Sequence, residues 1–176
     1  MLYPLNTVLQ PFFRLQTTNR SLKTQLHKET KMSHFSLPSS TGETFHSQDH
    51  APLVVYFYPK DHTAGCTTEG LDFNRLLPQF QAAGYTVVGI SRDSVKTHQN
   101  FCTKQGFQFQ LLSDSDETVC QQFGVMKLKK LYGKEHMGIE RSTFVLNQSG
   151  EIVHEWRKVK VAGHAEEVLN ICLQTK

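Results

Sequence analysis

The sequence predicts an α/β fold in which a mixed central sheet is flanked by helices. From Phe35 onward, strand-like apolar runs alternate with segments of helical periodicity. No internal repeat or low-complexity linker interrupts this alternation, and the last two strand-like segments flank a hairpin turn. Alternating central strands and helices followed by an antiparallel hairpin are typical of a mixed sheet between helix layers.

The first half of the predicted domain has a strand, a helix and a second strand. Residues 53–58, Leu-Val-Val-Tyr-Phe-Tyr, form a continuous apolar run that ends at Pro59, as expected for a strand buried on both faces. A helix is predicted from about Thr67 to Gly84, because four apolar residues recur at helical spacing, namely Phe73, Leu76, Leu77 and Phe80. Residues 86–90 are predicted to form a second buried strand.

The second half of the domain is punctuated by capping and turn residues. Ser94 is a good N-cap for a helix that runs to Gln105 and is ended by Gly106. The run Asn-Gln-Ser-Gly at 147–150 is a hairpin signal. The remaining predicted elements are a short strand at 110–112, an acidic turn at 113–116, a short helix near 117–123, hairpin strands at 142–146 and 151–157, and an amphipathic helix at 164–173.

Composition limits the classes of function. A chain of 176 residues with 38% hydrophobic and 20% charged residues fits one compact domain plus a tail. The net charge of +3 is small and its basic runs, 127–130 and 157–160, are short, so nucleic-acid binding is not indicated. No stretch approaches the roughly 18 to 20 consecutive apolar residues of a membrane span. We therefore expect a soluble protein.

The four cysteines, at positions 66, 102, 120 and 172, lack the dense, regular spacing of a secreted disulfide scaffold. Redox chemistry in a reducing compartment explains them better, and we expect a cytoplasmic location. The sequence has no Cys-x-x-Cys pair, and His62 is the one histidine close to Cys66. A metal site is therefore not expected, and no cofactor is indicated.

Residues 1–31 differ from the rest in being rich in basic residues, with Glu29 as the single acid. The segment before Arg14 is uncharged and broken by Pro4 and Pro11, which argues against a secretory signal. An organelle transit peptide shares the basic bias. We favour either a disordered tail or a misassigned start, with Met32 as the true first residue, and we expect the folded domain to cover 32–176.

The residues with the strongest potential for catalysis lie where the first buried strand meets the helix that follows it. Cys66 lies at the start of that helix, among unpaired backbone N–H groups at the positive end of the helix dipole. Such surroundings favour thiolate over thiol, and the thiolate is the nucleophile. A cysteine at a helix start is, taken alone, more often a small buried apolar residue. A cysteine hydrolase needs a histidine base, but no hydrolase signature accompanies Cys66.

The residues around Cys66 resemble the active-site motif of peroxiredoxins, in which a proline, a threonine and the reactive cysteine stand in the positions of Pro59, Thr63 and Cys66. The resemblance runs from about Phe35 to Leu173 and is closest to the peroxiredoxin Q or bacterioferritin comigratory protein group. The blocks that carry it are 57–61, 65–70, 91–94, 138–144 and 156–159. It implies a thioredoxin-like fold and an enzyme that reduces hydrogen peroxide and organic hydroperoxides and is then reduced by thioredoxin.

The other residues in these blocks have roles that peroxide chemistry explains. A bound peroxide needs positive charge and hydrogen-bonding partners. We expect Arg141 to supply the charge and donors, and the Thr63 hydroxyl to donate to one oxygen and accept from the other. Pro59 is expected to shield the sulfur from water. Glu69 lies one helical turn after Cys66 and is expected to orient Arg141 through a paired contact. A non-catalytic interaction module of this fold would be marked by loss of Thr63, Cys66 or Arg141, and none is lost.

Oxidation of Cys66 to a sulfenic acid requires a second thiol to resolve it. Many members of the group carry that thiol five residues after the reactive cysteine, where this chain has Leu71. Another branch carries it 36 residues on, which is the position of Cys102. We assign Cys102 as the resolving residue and keep Cys120 and external thiols as alternatives. Because an intrachain disulfide needs no second subunit, we expect a monomer whose partners are peroxides and a dithiol reductant.

Overall fold

A computed structural model describes residues 33–175 of the chain. The predicted tail over 1–31 lies outside the described residues. The strands are β1 Ser36–Pro38, β2 Thr44–His46, β3 Leu53–Phe57, β4 Thr86–Ser91, β5 Gln110–Ser113, β6 Met126–Leu131, β7 Lys134–Ile139, β8 Ser142–Leu146 and β9 Ile152–Trp156. The helices are α1 Ala64–Ala82, α2 Val95–Gln105, α3 Thr118–Gln122 and α4 His164–Gln174.

The centre of the fold is a mixed five-stranded sheet in the order β5-β4-β3-β8-β9. Strand β3 pairs in parallel with β4, which pairs in parallel with β5, whereas β8 runs antiparallel to both β3 and β9. Phe57, at the carboxyl end of β3, pairs with Ile90 of β4 on one side and with Ser142 of β8 on the other. The predicted mixed sheet and late hairpin are confirmed.

The two faces of the sheet bury separate sets of side chains. Because side chains alternate along a strand, Val54 and Tyr56 of β3 face one layer while Val55 and Phe57 face the other. The first layer contains α1, α2 and α4, and its apolar residues include Phe73, Phe80, Phe101 and Val168. The second contains α3 and the hairpin of β1 and β2, with Phe35, Phe45, Val119 and Phe123.

Helix α1 begins earlier than the sequence indicates. The apolar periodicity predicts a start near Thr67, but Thr63 is the N-cap and Ala64 the first helical residue. The prediction is wrong by about one turn because the first turn contains small and polar residues that give no periodic signal. The correction matters for the site, since Cys66 is the third residue of α1 and thus lies in its first turn.

Helix α2 has the ends that the sequence predicts. The Ser94 side chain accepts a hydrogen bond from the Thr97 N–H at 3.3 Å, and Gly106 closes the helix in the left-handed conformation with φ 72°. The strands at 110–113 and 142–146 and the helices α3 and α4 also lie within a few residues of their predicted bounds.

Two hairpins were not predicted from the sequence. Strands β6 and β7 form a separate antiparallel pair, and the turn between them has Tyr132 at φ 49° and Gly133 at φ 75°. Two consecutive left-handed residues are the geometry of a two-residue hairpin turn. The polar and basic composition of 126–131 concealed this strand, and β1 and β2, at three residues each, are too short to give a pattern.

Across residues 33–175 no helix combines the length and apolar character that crossing a bilayer demands. In the same range, no group of three or more His, Cys, Asp or Glu side chains is arranged to hold a metal ion.

Candidate active site

Cys66 lies where the loop after β3 enters α1. Thr63 has extended backbone angles, φ −81° and ψ 151°, and its carbonyl accepts the first helical hydrogen bond, from the Thr67 N–H at 2.9 Å. The N–H groups of Ala64, Gly65 and Cys66 precede that bond and therefore form the positive end of the helix dipole. The Cys66 side chain is 2% exposed. The fold thus places an enclosed sulfur beside a helix N-terminus.

Arg141 bridges the sulfur and a buried carboxylate. Its Nη2 donates to Cys66 Sγ at 3.3 Å, and its Nη1 donates to Glu69 Oε2. The guanidinium also packs over the first turn of α1, because a Cβ placed on Gly65 would lie 3.4 Å from Nη2. The planar fork of arginine suits this bridging position, in which one edge binds a carboxylate and leaves another directed at sulfur.

Glu69 is nearly inaccessible, at 1% exposure, and lies one turn after Cys66 on α1. Burial raises the pKa of its carboxyl from 4.5 to about 7, because the loss of solvation outweighs the stabilising charge and hydrogen bond of Arg141. Its second oxygen, Oε1, is buried and has no hydrogen-bond partner among the described residues. The Arg141 contact therefore balances the cost of burying this carboxylate only in part.

Thr63 and Pro59 lie on the loop that leads from β3 to Cys66. The Thr63 hydroxyl donates to the Lys60 carbonyl at 3.1 Å, so its oxygen retains lone pairs for an incoming donor. Thr63 is exposed, whereas Pro59 is partly buried between the end of β3 and the loop. The structure therefore joins Cys66 to Glu69 through Arg141 and leaves Thr63 exposed in the loop before α1.

Lys129 is a further cation near this site that the sequence interpretation treated as part of a basic run without a function. Its Nζ donates to the Ile139 carbonyl at 2.5 Å, two residues before Arg141. Burial, followed by the charge of Arg141, lowers the pKa of its ammonium. No spacing signal distinguishes Lys129 from its neighbours in the run, because only the β6 and β7 pairing brings it here.

The four cysteines fall into distinct environments, and none is in a disulfide. Cys102 is partly buried on α2, and burial raises the pKa of its thiol. Cys120 and Cys172 are each 0% exposed. Burial raises the pKa of Cys172 to about 12, and burial together with the Asp114 carboxyl also raises the pKa of Cys120. These two thiols remain protonated and enclosed, whereas Cys102 is partly exposed.

A buried polar cluster beside the loop was also missed by sequence interpretation. His98 Nδ1 lies 2.8 Å from Asp61 Oδ2, and both side chains are fully buried. The Tyr58 hydroxyl donates to Asp61 Oδ1 at 2.7 Å. Asp61 and His98 are 37 residues apart, and no motif or periodicity links them, so only the fold reveals the pair.

Comparison with known proteins identifies the family of the chain. The family model of the AhpC/TSA family matches residues 29–155. A peroxiredoxin Bcp from Xanthomonas campestris is 60% identical over 134 residues, covering 76% of this chain and 84% of that protein. A peroxiredoxin Bcp from Bacillus subtilis is 44% identical over 135 residues, covering 76% of this chain and 86% of the relative.

Solved structures lead to the same group. A structure of Xanthomonas campestris peroxiredoxin Q has 58% sequence identity and a TM-score of 0.75, covering 78% of this chain and 89% of that one. The bacterioferritin comigratory protein of the same organism, in a study of alkyl peroxide reduction activity with trapped intermediate and ligand complexes, has 55% identity and a TM-score of 0.77, covering 80% of this chain and 91% of the other. The chain therefore belongs to the AhpC/TSA family, as a peroxiredoxin of the Q or Bcp group with a thioredoxin-like fold, and is a thiol-dependent peroxidase.

Proposed function

We propose that this enzyme reduces hydrogen peroxide and organic hydroperoxides through a sulfenic acid on Cys66, which Cys102 resolves as an intrachain disulfide. The observation that carries the proposal is the contact of Arg141 Nη2 with Cys66 Sγ at 3.3 Å, in an enclosed site at the N-terminus of α1. Positive charge on two sides stabilises a thiolate and the charge that develops on a departing oxygen.

In the first step the Cys66 thiolate attacks one oxygen of the peroxide, and the O–O bond breaks as the S–O bond forms. The departing oxygen takes up a proton and leaves as water or an alcohol, and the sulfur becomes a sulfenic acid. Arg141 donates to the reacting oxygens, and the Thr63 oxygen accepts the hydroxyl hydrogen of the bound hydroperoxide. Glu69 holds the guanidinium in place, and Pro59 limits access of water to the sulfur.

In the second step the Cys102 thiol attacks the Cys66 sulfur, which releases water and forms the disulfide. Two observations support Cys102 over the other cysteines: its partial exposure, and its separation of 36 residues from Cys66. Two cysteine-to-serine mutants of the Xanthomonas campestris relative have been solved, and the mutated positions in that protein are also 36 residues apart.

Disulfide formation requires local unfolding in this scheme. Cys66 lies in the first turn of α1, whereas Cys102 lies in the last turns of α2, where its carbonyl accepts hydrogen bonds from the N–H groups of Gly106 and Phe107. A disulfide needs Cα atoms within about 7 Å of each other. We propose that both helix ends unwind to bring the two sulfurs together, which makes the oxidised protein the looser form.

We further propose that thioredoxin or a similar dithiol reduces the disulfide, returning two electrons to the pair of thiols. An intrachain disulfide needs no partner subunit, so a monomer in the cytoplasm, with 32–176 as its catalytic domain, is sufficient for the cycle. We assign organic hydroperoxides as substrates together with hydrogen peroxide. Alkyl peroxide reduction has been studied in the Xanthomonas campestris relative.

The test is peroxide consumption coupled to thioredoxin, thioredoxin reductase and NADPH, with Cys102→Ser compared to Cys120→Ser. Loss of thioredoxin-supported turnover in Cys102→Ser, together with normal turnover in Cys120→Ser, is the expected result. Cys120 is the matched control because it is a fully buried thiol outside the proposed cycle. Normal turnover in Cys102→Ser would overturn its resolving role: loss of turnover in Cys120→Ser would then assign resolution to Cys120, and normal turnover in both variants would assign it to an external thiol.

A further inference from the structure

The loop that precedes Cys66 is joined to the helix that contains Cys102 by a group of direct contacts. The Asp61 N–H donates to Asp93 Oδ2 at 2.9 Å, just before α2 begins. The Asp61 side chain reaches His98 in α2. The ring of the next loop residue, His62, packs against Phe101 with centroids 4.8 Å apart. His62 is held at φ 61°, a conformation that is unfavourable for a histidine, so the surrounding contacts fix the loop.

The Asp61 to His98 contact is the strongest of these because both groups are fully buried. His98 Nε2 lies 3.2 Å from the Leu112 carbonyl, which can only accept, so Nε2 carries a hydrogen. Nδ1 and Asp61 Oδ2, 2.8 Å apart, then share one further proton. Wherever that proton resides, the contact is a charge-assisted or strongly polar hydrogen bond in a site without water access, where such bonds are strong.

His98 is also well placed to control Cys102. The two residues are four apart in α2, which puts them one turn apart on the same helix face. Cys102 cannot move far toward Cys66 while the turn that begins at His98 stays helical and bonded to the loop. Asp61, at the other end of the contact, lies five residues before Cys66.

We propose that the Asp61–His98 pair is a latch, which holds α2 against the reactive loop in the reduced enzyme and must open before Cys102 can reach Cys66. This role rests on the proposed Cys66–Cys102 disulfide. Asp61 and His98 are positioning residues: they take no part in the release of water as the disulfide forms, but they set how often the two sulfurs meet. A closed latch preserves the site for peroxide and delays resolution.

The latch also sets the sensitivity of the enzyme to excess peroxide. While α2 stays docked, a second peroxide can oxidise the Cys66 sulfenic acid to sulfinic acid, with release of water or alcohol. Opening of the latch competes with this step. A weaker latch therefore gives faster disulfide formation and less sulfinic acid at the same peroxide concentration.

The variant that tests the latch is Asp61→Asn. Asparagine has nearly the shape of aspartate and retains an oxygen that can accept from the Tyr58 hydroxyl, but it removes the charge from the contact with His98. Replacing a charge-assisted bond by a neutral one should raise the rate of disulfide formation about tenfold. The rate of sulfenic acid formation should not change, because Asp61 makes no contact with the peroxide-binding residues.

Asp114→Asn is the matched control. It makes the same change in another fully buried carboxylate, but Asp114 accepts hydrogen bonds from the Val119 and Cys120 N–H groups of α3 and so does not join the loop to α2. Quench-flow with hydrogen peroxide, followed by mass spectrometry of the sulfenic acid trapped with dimedone and of the Cys66–Cys102 disulfide, measures the two steps separately. Urea unfolding of each reduced variant measures global stability.

Faster disulfide formation and less sulfinic acid in Asp61→Asn, with wild-type rates in Asp114→Asn at comparable loss of global stability, would support the latch. An unchanged rate in Asp61→Asn, with the disulfide still forming, would overturn the latch and leave the proposed catalytic cycle intact. Equal acceleration in both variants would also overturn it, since general loosening would then explain the effect. Absence of a Cys66–Cys102 disulfide in the wild-type protein would overturn both proposals.

Discussion

The Glu69→Gln variant is predicted to change how the stability of the reduced protein depends on pH. Glu69 is 1% exposed, and burial raises its pKa from 4.5 to about 7. Between these values the folded protein holds a proton that the unfolded chain has lost. The contribution of this proton to the free energy of unfolding is fully present below pH 4.5 and is lost as the pH rises through about 7. Each pKa unit corresponds to about 1.4 kcal/mol, so this group costs about 2 to 3 kcal/mol between pH 5 and pH 8.

Glutamine cannot ionise, so the variant should lose this pH dependence. His164 acts in the opposite direction, because burial lowers its pKa from 6.5 to about 4 and its contribution to stability therefore rises with pH over that range. His164 is present in both proteins and cancels in the difference. The loss of a carboxylate partner for Arg141 adds a constant, since the guanidinium of an arginine stays charged throughout the neutral pH range.

The assay is urea unfolding of both reduced proteins at several values between pH 5 and pH 8. The free energy of unfolding of Glu69→Gln minus that of the wild type should increase by about 2 to 3 kcal/mol from the lowest to the highest pH. Parallel curves for the two proteins would refute the reasoning, because they would mean that the Glu69 carboxyl ionises in the fold as easily as in the unfolded chain.

Three further substitutions test the site and the packing around it. Cys66→Ser should abolish peroxide consumption, because an alcohol lacks the ionisation and soft nucleophilicity of sulfur; measurable turnover would remove Cys66 from its role. Arg141→Lys should lower kcat/KM for hydrogen peroxide on the order of 10- to 100-fold, since lysine cannot contact Glu69 and the sulfur at once, and wild-type kinetics would contradict this. Gly89→Ala should destabilise the fold by about 1 to 3 kcal/mol in urea unfolding, because its Cβ would lie 2.6 Å from Tyr56 Cζ; an unchanged midpoint would show that the ring can shift.

The central strands were predictable because burial on both faces leaves an unmistakable pattern. All five residues of β3 are buried, and so are all five of β8. A strand of this kind must be apolar at nearly every position, whereas the exposed β6 and β7 hairpin is under no such constraint. The lysines of β6 therefore resemble an ordinary run of surface charge in the sequence. Lys129 comes near the site only because β6 pairs with β7, and no local sequence pattern indicates that pairing.

The residues of the site also fall into two groups: those that the sequence could bring together and those that only the fold brings together. Cys66, Thr63 and Glu69 lie within seven consecutive residues, so a motif and helical spacing are enough to group them. Arg141 was grouped with them through resemblance to a family, and the structure brings it into hydrogen-bond contact with both Cys66 and Glu69. Neither a motif nor the family resemblance could pair Asp61 with His98, because their contact depends on how α2 packs beside the loop.

The most direct test of the proposed cycle is peptide mapping of the reduced protein after one equivalent of hydrogen peroxide. We predict a Cys66–Cys102 disulfide within a single chain, with Cys120 and Cys172 still free thiols, and increased hydrogen exchange around both bonded residues. A Cys66–Cys120 disulfide, or a stable sulfenic acid on Cys66 with Cys102 free, would contradict the resolving step. Oxidation at other cysteines with Cys66 unmodified would contradict the assignment of the nucleophile itself.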